Sequence, residues 1–193
     1  KWDPLGNAYL EITHLAEGRT EDLAELTEPK LVPVNVFMGV DPASSTNRNA
    51  DASVVMAVAV DANDNRYVLP YWRKRAKPLA VADGVVQMFK TYEPVRTRCE
   101  SVGYQEMLRD YLKSDHVDVH IPGLGIKENP RNSKSQRLEG MQPFFASGRV
   151  YLKKDQRALV DELLGYPNAK HDDCLDALYY AMKRVFPPTH DVN

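Results

Sequence analysis

The longest uninterrupted apolar run in the chain, residues 54–60 (VVMAVAV), is bounded by the polar residues Ser53 and Asp61. It falls far short of the ~18 residues that argue a membrane span, and its valine content fits a β-strand. A β-rich run at residues 34–41 (VNVFMGVD) precedes it and stops at Asp41-Pro42, where proline blocks further ladder pairing. After the polar turn DAND, residues 66–75 (RYVLPYWRKR) form a third strand. Together the three predict an antiparallel meander, with Pro70 marking an edge or a bulge.

Beyond the meander, Leu79, Val81, Val85, Val86, Met88 and Phe89 fall close to helical period, followed by a strand at 95–100 and a helix at 104–113. One more short strand is expected at 118–121. Residues 122–136 (PGLGIKENPRNSKSQ) carry glycine, proline and polar residues without period, the composition of a mobile surface loop. A helix over 136–146, a strand at 149–152 and helices over 155–164 and 172–185 complete the pattern. This order predicts an α/β fold: a mixed sheet, a three-strand antiparallel meander plus parallel strands, with helices on both faces.

A length of 193 residues suggests one domain with an appendage, and a hydrophobic content of 43% allows it a sizeable core. The formal charge of −2 excludes a uniformly basic nucleic-acid wrapper, so any polyanion site must be a local patch. Cys99 and Cys174 stand far apart with no CxxC, which argues against a disulfide framework or zinc knuckle and for a reducing compartment. The opening residues KWDPLGNAYL lack a basic start followed by an apolar core, so no signal peptide is expected there. Residues 1–32 hold seven acids against three bases, a net −4, with sparse leucines. They are expected to form one or two short surface helices in a linker or docking arm, ahead of a domain at 33–187 and a tail at 188–193.

Acids stand at three places where rigid backbone can hold them and a sheet edge leaves them accessible. Asp41 closes the first strand, Glu100 closes the fourth, and Asp172, Asp173 and Asp176 open the last helix. If the first and fourth strands are neighbours, both carboxylates project at the same end. Mg²⁺ takes oxygen ligands near ~2.1 Å, so two or three converging carboxylates suffice. A pair of ions ~4 Å apart activates water and stabilises the leaving oxygen of a phosphodiester. Helix-opening acids also serve as caps. At 100° per residue Asp172 and Asp173 flank the apolar stripe of this helix while Asp176 lies behind it, so periodicity leaves open which acid faces the site. His171 is a candidate ligand, second donor or general base.

GVDPA (39–43), the acid in CESVGYQ (99–105), KSQRLEGMQPFFASGRVYL (134–152) and KHDDCLDAL (170–178), in that order, resemble the nuclease domain of the large terminase subunit of tailed bacteriophages over residues 33–185. The resemblance implies an RNase H-like fold and a Mg²⁺- or Mn²⁺-dependent endonuclease that cuts concatemeric viral DNA in the cytoplasm of the infected bacterium. By position, Asp41, Glu100 and Asp173 would be the catalytic metal-binding triad, with Asp172 an additional ligand and Asp176 and His171 secondary candidates. Large terminases also carry an ATPase motor, but the chain has no GxxxxGK[ST] loop. The expectation is therefore an isolated C-terminal domain or a stand-alone homologue, the acidic arm favouring the first, whose partners are double-stranded DNA, that motor, the small terminase subunit and the portal.

Lys134, Arg137, Lys127, Arg131, Arg73 and Lys74 are the expected DNA contacts, to backbone phosphates because no base-reading motif is present. The stretch from Lys127 to Arg157 is +5. Cys99 and Cys174 are expected in the core. Rival readings are another RNase H-like nuclease, such as a junction resolvase or transposase core, and a catalytically silent DNA or motor docking module.

Overall fold

The computed structural model describes residues 8–16, 23–43, 51–100, 102–112, 119–124, 133–169 and 171–189. Seven strands form one mixed sheet. Strand β2 (Leu23–Asp41) is its axis. The first part of β2 pairs antiparallel with β1 (Ala8–Ala16). Its last part pairs antiparallel with β3 (Ser53–Asp61), Val34 opposite Asp61 and Asp41 opposite Val54. The same part pairs in parallel with β6 (Arg96–Cys99), Val40 opposite Cys99. β4 (Arg66–Val68) and β5 (Trp72–Lys74) pair with successive halves of β3, and β7 (Val150–Tyr151) extends the sheet in parallel beyond β4.

The meander expected from sequence is therefore present, and its third member is interrupted at Pro70. Leu69 N–H still donates to Ala57 O at 3.0 Å, and the Gln156 side-chain amide donates to the Val68 and Leu69 carbonyls at 3.1 and 3.0 Å. The break thus leaves those acceptors satisfied, as buried backbone demands.

Alternation along β2 and β3 divides the core into two layers. Val36, Met38 and Val40 of β2 with Val55, Ala57 and Ala59 of β3 pack against Ala82, Val85 and Met88 of helix α1 (Pro78–Tyr92) and Leu108 of α2 (Val102–Leu112). On the opposite face Phe37, Val54, Met56 and Val58 meet Leu159 of α5 (Arg157–Gly165) and Leu175, Ala177, Leu178 and Ala181 of α6 (Asp173–Met182). Every residue of β3 is buried, which is why its sequence is continuously apolar rather than alternating. Cys99 and Cys174 lie in these layers as expected, both buried and neither in a disulfide.

Three details depart from the sequence reading. The acidic segment expected to be helical instead contributes β1 and the first part of β2. Its β-branched and aromatic residues, Tyr9, Ile12 and Thr13 among them, favour an extended chain, and Pro29 and Pro33 are tolerated where β2 pairs on one side only. The helix expected over 136–146 is two short ones, α3 (Lys134–Glu139) and α4 (Gln142–Ala146), separated at Gly140-Met141 with Pro143 restarting the turn. Residues 119–121 are not a strand, although Pro122 O accepts from Thr97 N–H at 2.7 Å beside β6. Much of the loop expected at 122–136 lies outside the described residues. Among the described residues no helix is long and apolar enough to cross a membrane.

Candidate metal centre

Asp41 ends β2 and Glu100 follows β6 directly. Because the two strands are parallel neighbours, both acids emerge at the same sheet end, and the Glu100 N–H donates to Val40 O at 3.1 Å to hold that register. Phe37, Gly39 and Asp41 share the face covered by α6. The helix can descend onto that face because Gly39 has no side chain. A Cβ there would run into the Ala177 carbonyl oxygen and the Ala181 nitrogen. This close approach brings Asp176, one helical position before Ala177, down to the strand end.

The result is a group in which one carboxylate oxygen each from Asp41, Glu100 and Asp176 lies within 4.8 Å of the others. Asp41 hydrogen-bonds Glu100 and carries a carboxyl pushed up to about 9, first because burial disfavours its charged form and then because Glu100, Asp176 and Asp173 stand close by. Asp176 is 5% exposed. One cation balances the group from the protein side: Arg137 of α3 donates from Nη1 to Glu100 Oε1 at 2.9 Å and to the Tyr180 hydroxyl at 3.2 Å, and lies 3.4 Å from Asp176 Oδ1.

Asp173, expected to complete the triad, sits one turn earlier on α6 in a second group with Asp51 and His171, again within 4.8 Å. Its Oδ2 accepts the Ala52 N–H at 2.9 Å and lies 3.5 Å from Arg73. Burial raises its proton affinity despite those contacts. His171 Nδ1 stands 3.2 Å from Asp51 Oδ1. Asp173 remains near enough to Asp41 to help raise its pKa. Asp172 belongs to neither.

The orphan N–H groups at the start of α6 are satisfied from another helix. Glu162 of α5 places Oε2 2.8 Å from Cys174 N and 3.1 Å from Leu175 N. Asp172, the N-cap residue of α6, makes no side-chain bond to its own helix end. Asp173 and Asp176 are thereby free to face the strand ends. Glu162 and Asp51 were not singled out from sequence. For Glu162 the signal was present: an acid three residues after Leu159, on the buried stripe of α5. For Asp51 there was none, because its partners are distant in the chain.

The expected DNA contacts divide. Arg137 is 8% exposed and engaged with the acids, and Arg73 lies against Asp173 and, at 3.9 Å, Glu162. Lys74 is exposed, its ammonium 5.7 Å from the Trp72 ring centre. Lys134 stands in the first turn of α3. Lys127 and Arg131 lie outside the described residues.

The donor set fits a hard divalent cation. Oxygens around Mg²⁺ at ~2.1 Å stand about 3.0 or 4.2 Å apart on an octahedron, so separations of at most 4.8 Å need only a small contraction. Three carboxylates facing one guanidinium leave negative charge for the ion to neutralise.

Residues 38–184 match the family described as the terminase RNaseH-like domain. Among solved structures, the chain is similar to the large terminase nuclease from the thermophilic phage G20c. The zinc-bound form superposes with a TM-score of 0.55 at 18% identity, covering 80% of this chain and 86% of that one. The magnesium-bound form gives 0.55 at 16% identity with the same coverage. The two share the RNase H-like fold with this chain. No curated protein sequence matches it.

Proposed function

The chain belongs to the terminase RNaseH-like domain family, and from that premise we propose that it is a metal-dependent DNA endonuclease that hydrolyses phosphodiester bonds in concatemeric viral DNA during genome packaging. The observation that carries the proposal is the convergence of Asp41, Glu100 and Asp176 at one end of the sheet. Asp41, Glu100 and Asp176 would hold one Mg²⁺ or Mn²⁺, and Asp41 with Asp173 a second. Such ions supply activation of water and stabilisation of the leaving oxygen.

The remaining work falls to the protein's own groups. Gly39 sets the height of α6 over β2, so Asp176 is presented to the strand ends by packing rather than by a flexible loop. Glu162 caps α6 and keeps Asp173 and Asp176 from being spent on that task. Arg137 holds Glu100 and Asp176 together while the acids await a cation. His171, paired with Asp51, would offer further polar groups next to Asp173. The substrate would be double-stranded DNA, delivered by an ATPase motor together with the small terminase subunit and the portal, in the infected bacterial cell.

Nicking of supercoiled plasmid in Mg²⁺, Mn²⁺ or EDTA tests the reading, with Asp41→Ala as the control. Metal-dependent nicking that disappears in the variant supports it. Nicking that persists in EDTA, or in the variant, overturns it.

A further inference from the structure

Beside the acid group lies an open cavity of about 360 Å³ lined by Arg66, Gln136, Arg137, Tyr179, Lys183 and Arg184 together with apolar side chains. Four cations line it, and no aspartate or glutamate among the described residues does. Arg66 is 4% exposed and Arg137 8%. Arg66 Nε and Nη1 and Arg137 Nε are buried with no hydrogen-bond acceptor among the described residues.

Leaving guanidinium donors buried and unpaired is costly. Each of these arginines is held by its other side. Arg66 donates from Nη2 to Asp64 at 3.0 Å, with its guanidinium carbon 3.3 Å from the Phe144 ring centre. Arg137 donates from Nη1 to Glu100. Two anchored guanidinium groups with unpaired donors line one cavity, and guanidinium donors are the groups that phosphate oxygens satisfy. Gln136 and Tyr179 add neutral polar groups, and Lys183 and Arg184 stand at the rim.

Resting on the nuclease reading above, we infer that this cavity is a phosphate subsite that seats a DNA backbone phosphodiester on the strand being cut, near the scissile bond. Arg137 is the link. It lines the cavity and bonds Glu100, so a phosphate seated there lies one guanidinium away from the metal-binding acids. The subsite fixes the register of the strand without reading its sequence.

The test uses the whole chain and a short fluorescent DNA duplex, with anisotropy measured in EDTA across a salt series so that cutting plays no part. The variants are Lys183→Gln with Arg184→Asn, asparagine being chosen because Arg184 has φ 50°, and separately Arg66→Met. Thermal melts establish that each variant folds, and the rim double variant keeps the test decisive if Arg66→Met does not. The subsite predicts weaker binding and a slope of log K against log salt that is shallower by about 0.9, the value for one phosphate contact.

Unchanged affinity and slope in the rim variant overturn the subsite. If wild-type protein nicks plasmid in a metal-dependent manner in parallel, the nuclease reading survives that result. Failure of the nuclease reading shows separately, as metal-independent nicking. A melting temperature raised by inorganic phosphate that saturating duplex DNA does not compete away assigns the cavity to a small anion and overturns its assignment to DNA.

Discussion

Gly39 on β2 lies so close to Ala177 on α6 that a Cβ at position 39 would collide with the Ala177 carbonyl oxygen. Both partners of that contact are main chain, so neither can swing aside. Gly39→Ala must therefore lift the helix or bend the strand, and Asp176 moves with the helix while Asp41 stays with the strand. Overpacking of this kind costs about 3 kcal/mol, the upper part of its usual range. Denaturant unfolding should show that loss, and nicking activity should fall more than tenfold under conditions where the variant remains folded.

Arg137 is the counter-charge of the metal-free acid group. Arg137→Met keeps much of the side chain's volume but removes its bonds to Glu100 and Tyr180. Charge-assisted bonds of this sort are worth about 2 kcal/mol each, and their loss should lower the melting temperature most in EDTA. Added Mg²⁺ should restore stability more in the variant than in wild type. Equal gains in both would mean that Arg137 does not stand in for a cation.

Asp41 gives the metal-free protein a pH signature. Its carboxyl is raised from 3.8 to about 9 by burial and by the neighbouring acids, so between those values the folded state holds a proton that the unfolded chain has lost. The folded state's advantage is fully present below about pH 4 and declines as pH rises toward 9. Melting temperatures in EDTA should fall across that window, and Asp41→Asn should flatten the profile. Since a metal ion must displace this proton, Mg²⁺ binding should tighten with pH and release protons. Calorimetric titration in buffers of different ionisation enthalpy measures that release directly.

Glu162 supports the site from behind. Glu162→Ala removes the acceptor for the Cys174 and Leu175 N–H groups and should cost about 1–2 kcal/mol, the range for losing a helix cap. Glu162→Gln retains an oxygen acceptor and should lose less. Urea unfolding of the two variants distinguishes capping from a purely electrostatic role.

The sequence made the sheet, and two of the three acids that converge at its end, legible for a definite physical reason. Asp41 and Glu100 each terminate a short β-rich run, and a run's end is visible in the chain. The choice among Asp172, Asp173 and Asp176 was not visible, because it depends on how deep α6 sits over β2, which Gly39 and Ala177 decide from opposite ends of the sequence. Arg137, expected from the sequence as a DNA contact in a basic stretch, is also a buried partner of Glu100 and Asp176, a pairing invisible in the chain because those acids are distant in it. The acidic N-terminal segment misled in the other direction. Its sparse apolar residues suggested surface helices, whereas Ala8 pairs with Val34 and Ile12 with Lys30 in an antiparallel ladder that extends the central strand.

Anomalous diffraction from crystals of the chain grown with Mn²⁺ would locate the ion itself. The account predicts a peak coordinated by carboxylate oxygens of Asp41, Glu100 and Asp176, at about 2.2 Å, the spacing of a hard divalent ion. Manganese bound elsewhere, with those three carboxylates left unliganded, would contradict it.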